Sequence, residues 1–173
     1  FRRVLFRSRL TGPVDLALAN PIVEQQGRHV TGRIDLDLGV GGTLAAPAVS
    51  GTARLAGGSV ADYAQGVRLT AMHALLSAQG QTLTLSDFDA TAGDGHIRAG
   101  GTIGALAPGL PVDLRITAKN ARPLSSDLLT AVLDADLHIH GQAQGALVVG
   151  GTVTIDSASI NVPNSLPASV AKL

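Results

Sequence analysis

Strict alternation of apolar and polar residues limits the fold of this chain more than any other feature. The clearest run is Val112-Asp113-Leu114-Arg115-Ile116-Thr117. Because successive side chains of a strand point to opposite faces, such a run predicts a strand with one dry and one wet face. The same period recurs at residues 14–18, 33–38, 66–70, 82–86, 136–140 and 152–156. The sequence therefore predicts an all-β protein.

Short glycine-containing segments separate several of these runs. They are Gly57-Gly58, Gln79-Gly80 and Gly93-Asp94-Gly95. Loops this short join antiparallel neighbours, because a parallel crossover needs about a dozen residues or more. We expect a mostly antiparallel meander. Helix is expected only over Pro123–Ala131, where Ser and Asp offer capping groups, and from Pro167 onward.

A short motif repeats along the chain. Gly-Thr stands at positions 51, 101 and 151, residues 13–16 resemble residues 111–114, and residues 35–38 resemble residues 134–137. Repeats of this kind favour an elongated stack in which each unit covers the apolar edge of its neighbour. The alternative is that Gly-Thr is only a common strand opening in glycine-rich β proteins.

The composition excludes several classes of function. Hydrophobic residues make up 45% of the chain but aromatic residues only 2%, so the apolar surface is aliphatic and has few rings on which bases could stack. Thirteen basic residues balance thirteen acidic ones, which argues against nucleic-acid binding. The absence of cysteine removes disulfides, thiolate metal sites and a cysteine nucleophile.

Candidate catalytic and metal-binding residues are sparse. His138 and His140 share one strand face, with Asp134 or Asp136 as a third ligand, but the same residues also fit the wet face of an ordinary strand. Asp87 and Asp89 flank Phe88 and fit polar-face positions better than acid–base catalysis. No nucleophile elbow, phosphate loop or zinc-protease motif is present. We therefore expect no enzyme activity, no metal and no cofactor.

The dry face of the predicted strands is the remaining candidate site. In a closed sandwich its residues form the core, whereas in a curled open sheet they line a trough; the shortage of aromatic side chains favours the trough. The expected lining residues are Leu16, Leu18, Ile34, Leu36, Leu38, Val67, Leu69, Leu83, Leu85, Leu114, Ile116, Leu137, Ile139, Val153 and Ile155.

The first eight residues differ in composition from the rest. They hold two of the three Phe of the chain and three of its Arg, and they lack the pattern of a signal peptide. We interpret residues 1–8 as a boundary or assembly scar and residues 9–173 as one β domain.

Several segments together resemble the C-terminal region of the TamB family, within the AsmA-like superfamily. Each is a weak match alone, and the resemblance lies in their order and spacing from about Pro13 onward. The segments are residues 42–51, 55–60, 66–69, 100–103, 120–124, 133–141 and 158–167.

This resemblance implies a fragment of an elongated, curled β groove with an aliphatic interior. It also implies a periplasmic location in a protein anchored in the inner membrane, and an outer-membrane barrel partner of the Omp85 class (TamA-like) for the full-length protein. The implied functions are phospholipid transport and support of autotransporter and outer-membrane protein assembly. Phospholipid acyl chains or nascent outer-membrane β-strands are then the expected clients. The alternatives are a module that offers strands as a chaperone does, or a passive structural spacer.

Overall fold

The computed structural model describes residues 5–43, 46–125 and 129–160, and within these residues nine strands dominate. The strands are β1 (Leu5–Asp15), β2 (Arg28–Thr43), β3 (Ala46–Asp62), β4 (Val67–Gly80), β5 (Thr82–Ala92), β6 (Gly95–Ile103), β7 (Pro111–Ser125), β8 (Leu129–Gln142) and β9 (Leu147–Ile160).

These strands form one sheet in chain order, and every neighbouring pair is antiparallel. The predicted all-β curled groove is confirmed. We call the end of the sheet that carries the turn at residues 63–66 and the turn at residues 93–94 the upper end. The opposite end, with the loop at residues 104–110, is the lower end.

The predicted strand over residues 14–18 is wrong after Asp15. Leu16–Ala19 forms a 3-10 helix, because the Asp15 carboxylate accepts the Ala17 N–H at 2.8 Å and bends the chain at once. The short α-helix α1 follows at Asn20–Val23, with Pro21 in its first turn. No other α-helix occurs in the described parts of the chain.

The helix predicted over Pro123–Ala131 is also wrong where the structure describes it. Residues 123–125 end β7 and residues 129–131 begin β8, because their backbone groups pair with neighbouring strands; residues 126–128 lie outside the described residues. The helix expected from Pro167 lies outside them as well.

Gly57-Gly58 is a β-bulge within β3 and not a hairpin turn as predicted. The turn comes later, where the Asp62 carboxylate accepts the Gln65 N–H at 3.0 Å and Gly66 takes a positive φ of 70°. The predicted turns at Gly80 and at residues 93–95 are correct.

Three further bulges keep the apolar residues on one face. Ala71, Asp87 and Asn120 have positive φ angles of 49°, 53° and 47°, and each lies where the register of its strand shifts. One inserted residue inverts the side-chain alternation of a strand and bends it. As a result, apolar positions in β5 change from odd numbers (Leu83, Leu85) to even ones (Phe88).

The repeated Gly-Thr motif has the same surroundings at all three positions. Each glycine lies opposite a leucine, and each threonine lies opposite the aspartate before that leucine: Asp37-Leu38, Asp113-Leu114 and Asp136-Leu137. The three glycines have φ angles of 111°, 142° and 131°, and an added Cβ would come within 2.0–2.1 Å of the aspartate carbonyl oxygen. The motif therefore allows two backbones to approach closely at three-strand intervals.

The hairpin of β5 and β6 is shorter than the strands beside it. Beyond its tip β4 pairs directly with β7, with Val67 opposite Leu124. Gly95 lies against the backbone of β7, since a Cβ there would be 2.0 Å from the Asn120 carbonyl oxygen. Below the tip nine strands lie side by side, whereas above it β4 and β7 are neighbours.

Candidate functional site

One face of the sheet carries a continuous apolar surface. The register places one residue of each strand in a row across its lower half: Gly12, Leu36, Ala53, Leu76, Leu85, Gly101, Leu114, Ile139 and Val149. A parallel row below it contains Leu38, Leu83, Ile103 and Val112. From Leu10 onward, the described strand residues of this face are apolar or glycine, apart from the Arg28–Asp62 ion pair at its upper corner.

No second layer packs on this face within the described residues. The main contacts between elements are those of neighbouring strands, of β4 and β5 with β7, and of the helical segment at residues 16–26 with β2. The buried hydrophobic residues are all alanines, and no large side chain there is fully buried. The apolar face is therefore half-buried by its own curvature and accessible along its length.

The predicted lining residues fall into four groups. Ile34, Leu36, Leu38, Leu83, Leu85, Leu114, Ile116, Leu137 and Ile139 are half-buried on the apolar face. Val153 and Ile155 lie on the same face but are 51% and 63% exposed, because β9 pairs on one side only within the described residues. Leu16 and Leu18 lie off the sheet in the 3-10 helix, where Leu18 is 75% exposed.

The remaining two, Val67 and Leu69, lie at the upper end of the apolar face. Val67 is opposite Leu124, and Leu69 packs against the buried alanines Ala92, Ala118 and Ala121. These alanines are 0%, 4% and 0% exposed, so they form a small buried cluster at this end of the face.

Sequence reasoning missed part of the lining for two reasons: the alternation changes phase at the bulges before Leu76 and Phe88, and Ile97 and Val149 stand beside alanines and glycines that obscure the alternating pattern. Leu76, Phe88, Ile97 and Val149 lie on the apolar face but outside the alternating runs. The signal that could have found Phe88 is the change from odd to even apolar positions in β5.

The opposite face carries most charged residues of the strands, and many of them form ion pairs. Those between neighbouring strands are Arg9–Asp37, Arg98–Asp89, Arg115–Asp136 and Lys119–Asp134; Arg33–Asp35 lies within β2, and the His138 ring contacts the Asp113 carboxylate. Most of these side chains are exposed, so each pair contributes little to stability and the set keeps this face in water. The two faces thus differ as a wet surface and an aliphatic one.

The residues considered for metal binding or catalysis belong to this wet face. The rings of His138 and His140 lie 4.8 Å apart, and His138 Nε2 is 2.7 Å from Asp113 Oδ1. Asp134 binds Lys119 and the Asn120 N–H, which hold its pKa below the usual value. The described residues contain no group of three potential metal ligands.

Asp89 and Asp87 have different surroundings. The Arg98 guanidinium, 3.0 Å from Asp89 Oδ2, is the main cause that lowers the pKa of Asp89, and His96 adds to it. Asp87 is exposed at a bulge. The two carboxylates are not a shared acid–base pair, because one is held in ion pairs and the other faces solvent.

Comparisons with known proteins give one family match. The family model described as the TamB C-terminal domain matches residues 81–173. Neither the comparison with curated proteins nor that with solved structures gave a significant match. Among the described residues no helix has the length and apolar character needed to cross a bilayer. Since the family match covers more than half of the 173 residues, the chain belongs to the TamB family, and this membership supports a general role in outer-membrane biogenesis.

Proposed function

We propose that this chain is a section of an apolar trough that shields phospholipid acyl chains on their way across the bacterial envelope. The observation that carries the proposal is the aliphatic face of the sheet, which lies open along its lower half with no second layer on it. Family membership supports the same setting.

The physical basis is burial of hydrocarbon without any specific polar contact. Each methylene that leaves water for an apolar surface gains about 0.8 kcal/mol. A lining of Leu, Ile, Val, Ala and Gly accepts such a chain at any point along it. Because the charged side chains in the lower half of the sheet belong to the opposite face, an acyl chain meets no buried charge in the lower trough.

The remaining parts of the proposal concern the whole protein. It would lie in the periplasm, anchored in the inner membrane, and act with an Omp85-class outer-membrane barrel. It would support autotransporter and outer-membrane protein assembly by the same shielding. The chain would use no cofactor and catalyse no reaction.

A calorimetric titration with palmitoyl lysophosphatidylglycerol tests the proposal. The informative pair is Leu85→Asp and Thr84→Asp, neighbours in β5 whose side chains lie on opposite faces. We expect parent and Thr84→Asp to bind the lipid equally and Leu85→Asp to bind at least tenfold more weakly, because a carboxylate in the trough loses its hydration. Equal binding by all three folded proteins would overturn the trough as the binding surface.

A second candidate function rests on strand β9. All 14 of its residues are exposed, and within the described residues β9 pairs only with β8. An exposed apolar edge is a template for another strand, so the chain could offer β9 to nascent outer-membrane strands. Capture of an unfolded outer-membrane hairpin that Val153→Pro abolishes, with no lipid binding, would favour this function over the trough. A stable chain that binds neither lipid nor hairpin would favour a passive spacer.

A further inference from the structure

The two outer strands of the sheet differ in how well they accept another strand. Within the described residues these outer strands are β1 and β9. β1 contains Arg7, Arg9 and Pro13, and such residues protect an edge, because charges repel a desolvated neighbour and proline has no N–H to donate. β9 contains no proline, and its one charged residue is Asp156. Addition of a strand is therefore hindered at β1 and favoured at β9.

The first two Gly-Thr motifs show what lies on each side of a strand that carries this motif. On one side each motif lies opposite an Asp-Leu pair, as described above. On the other side Gly51-Thr52 lies opposite Ser77-Ala78, and Gly101-Thr102 lies opposite Thr84-Leu85. Each motif thus has, as its second neighbour, an antiparallel strand in which a hydroxyl residue precedes an aliphatic one. The hydroxyl residue lies beside threonine on the wet face, and the aliphatic residue lies beside glycine on the apolar face.

The third motif, Gly151-Thr152, has only the first of these two neighbours within the described residues. It lies opposite Asp136-Leu137 of β8, and no described strand lies on its other side. The first two motifs indicate which strand fits there: an antiparallel one with a hydroxyl residue opposite the threonine and an aliphatic residue opposite the glycine. β9 itself contains such a pair, Thr152-Val153. A second copy of the chain therefore offers a strand that fits this edge.

This match fixes the register of the two strands. With Thr152 opposite the same residue of the second copy, Gly151 lies opposite Val153 and Val149 lies opposite Ile155, so residues 149–155 of both copies pair. The match through Thr154-Ile155 is also possible, but it pairs only residues 151–155 before the bulge at Asp156. A two-fold axis perpendicular to the sheet keeps the apolar faces of both copies on the same side.

We infer that two copies of this chain associate through β9 into one continuous sheet, with a two-fold axis at Thr152. This inference goes beyond the proposed function and does not depend on lipid binding. The paired segment is short compared with the interface of a stable dimer, so single chains prevail in dilute solution and pairs form at about 0.1 mM and above. In the pair, the apolar face of one copy continues into that of the other.

Cysteine cross-linking tests the register, because the chain has no cysteine of its own. In the pair, Thr152→Cys places two thiols directly opposite each other, whereas Thr154→Cys, on the same face of β9, places them four residues apart, about 14 Å. Under mild oxidation we expect Thr152→Cys to form disulfide-linked dimers at least tenfold faster than Thr154→Cys, since a disulfide needs close Cβ atoms. An excess of the parent chain should suppress this reaction. Equal rates for the two variants would mean random collision and would overturn the inference.

Like charges provide a second measurement that needs no oxidation. Thr152 and Thr154 are both exposed, and they lie opposite Asp136 and Asp134 of β8, so the fold tolerates a lysine at either position. Thr152→Lys places two ammonium groups opposite each other across the axis and should weaken association at least tenfold. Thr154→Lys lies opposite Gly150 of the second copy and should weaken it less than threefold. Analytical ultracentrifugation over a series of protein concentrations measures both effects.

The outcomes of this series separate the possible partners of β9. A parent chain that stays single throughout, or equal association of the two lysine variants, would overturn the inference. A single parent chain that captures an unfolded outer-membrane hairpin through β9 would assign the edge to the second candidate function instead of a second copy. Pairing through β9 without any lipid binding would support the inference and overturn the proposed function alone.

Discussion

At the scale of single residues, the sheet depends on positions where only glycine fits. An added Cβ at Gly101 would lie 2.0 Å from the Asp113 carbonyl oxygen, and the φ of Gly101 is 142°. A Cβ added at the neighbouring Gly100 would make only an ordinary contact, 3.5 Å from the Leu85 carbonyl oxygen. Two consecutive glycines thus have opposite tolerance for a side chain.

We predict that Gly101→Ala lowers the free energy of unfolding by about 1–3 kcal/mol, because the strand must move or strain to admit the methyl group. Gly100→Ala should change it by less than about 0.5 kcal/mol. Urea unfolding of both variants measures the difference. Equal losses of unfolding free energy in the two variants would mean that the close approach of β6 and β7 is not the reason why position 101 requires glycine.

The bulge residue Ala71 gives the opposite prediction. It is exposed and has a φ of 49°, a conformation that costs a residue with a Cβ about 1 kcal/mol or more. Ala71→Gly should therefore raise the free energy of unfolding by about 0.5–1 kcal/mol. Ala74→Gly, in the same strand without a positive φ, should lower it. A lower free energy of unfolding in both Ala71→Gly and Ala74→Gly would contradict the bulge at Ala71.

At the scale of elements, local hydrogen bonds decide where the alternation pattern fails. The pattern at residues 33–38 and 112–117 predicts strands correctly because nothing local competes with the sheet there. The pattern at residues 14–18 fails because the Asp15 carboxylate accepts a hydrogen bond from the Ala17 N–H, two residues away. The alternation pattern of a single sequence gives no measure of that competition.

The alternation pattern also predicted much of the apolar face, as it did the strands. Nine of its expected lining residues lie half-buried on it, since alternation alone specifies the face of a residue within one run. The inserted residue of each bulge could not be identified, because Asp87 and Asn120 look like any other polar residue of a strand. The buried alanine cluster lies where β4 and β7 pair, at positions more than fifty residues apart, and no local pattern reports such pairing.

Pairing between strands also predicts a pH dependence. The ion pair with Arg98, and secondly His96, lowers the pKa of Asp89 in the folded protein. The stabilisation is present above the unfolded pKa of about 3.9 and is lost as the pH falls through the folded value. Asp89→Asn should therefore flatten the acid limb of a plot of unfolding free energy against pH. Parallel curves for parent and variant between neutral pH and the acid transition would contradict this assignment.

At the scale of the whole molecule, stability should be unevenly distributed. The buried alanine cluster joins β5 to β7, whereas β9 is exposed along its full length. Amide hydrogen exchange should be slowest in β6 and around Ala118, and faster by orders of magnitude in β9. Uniform protection across β6 and β9 would mean that β9 is covered in solution.

The open aliphatic trough is the central feature of the molecule, and native mass spectrometry tests it most directly. The chain should be purified in mild conditions from a bacterial envelope and its mass compared with that of Leu85→Asp and Thr84→Asp. The trough predicts that the parent and Thr84→Asp retain phospholipid and that Leu85→Asp does not. A folded parent protein that carries no phospholipid would contradict the trough and make the apolar face an ordinary core.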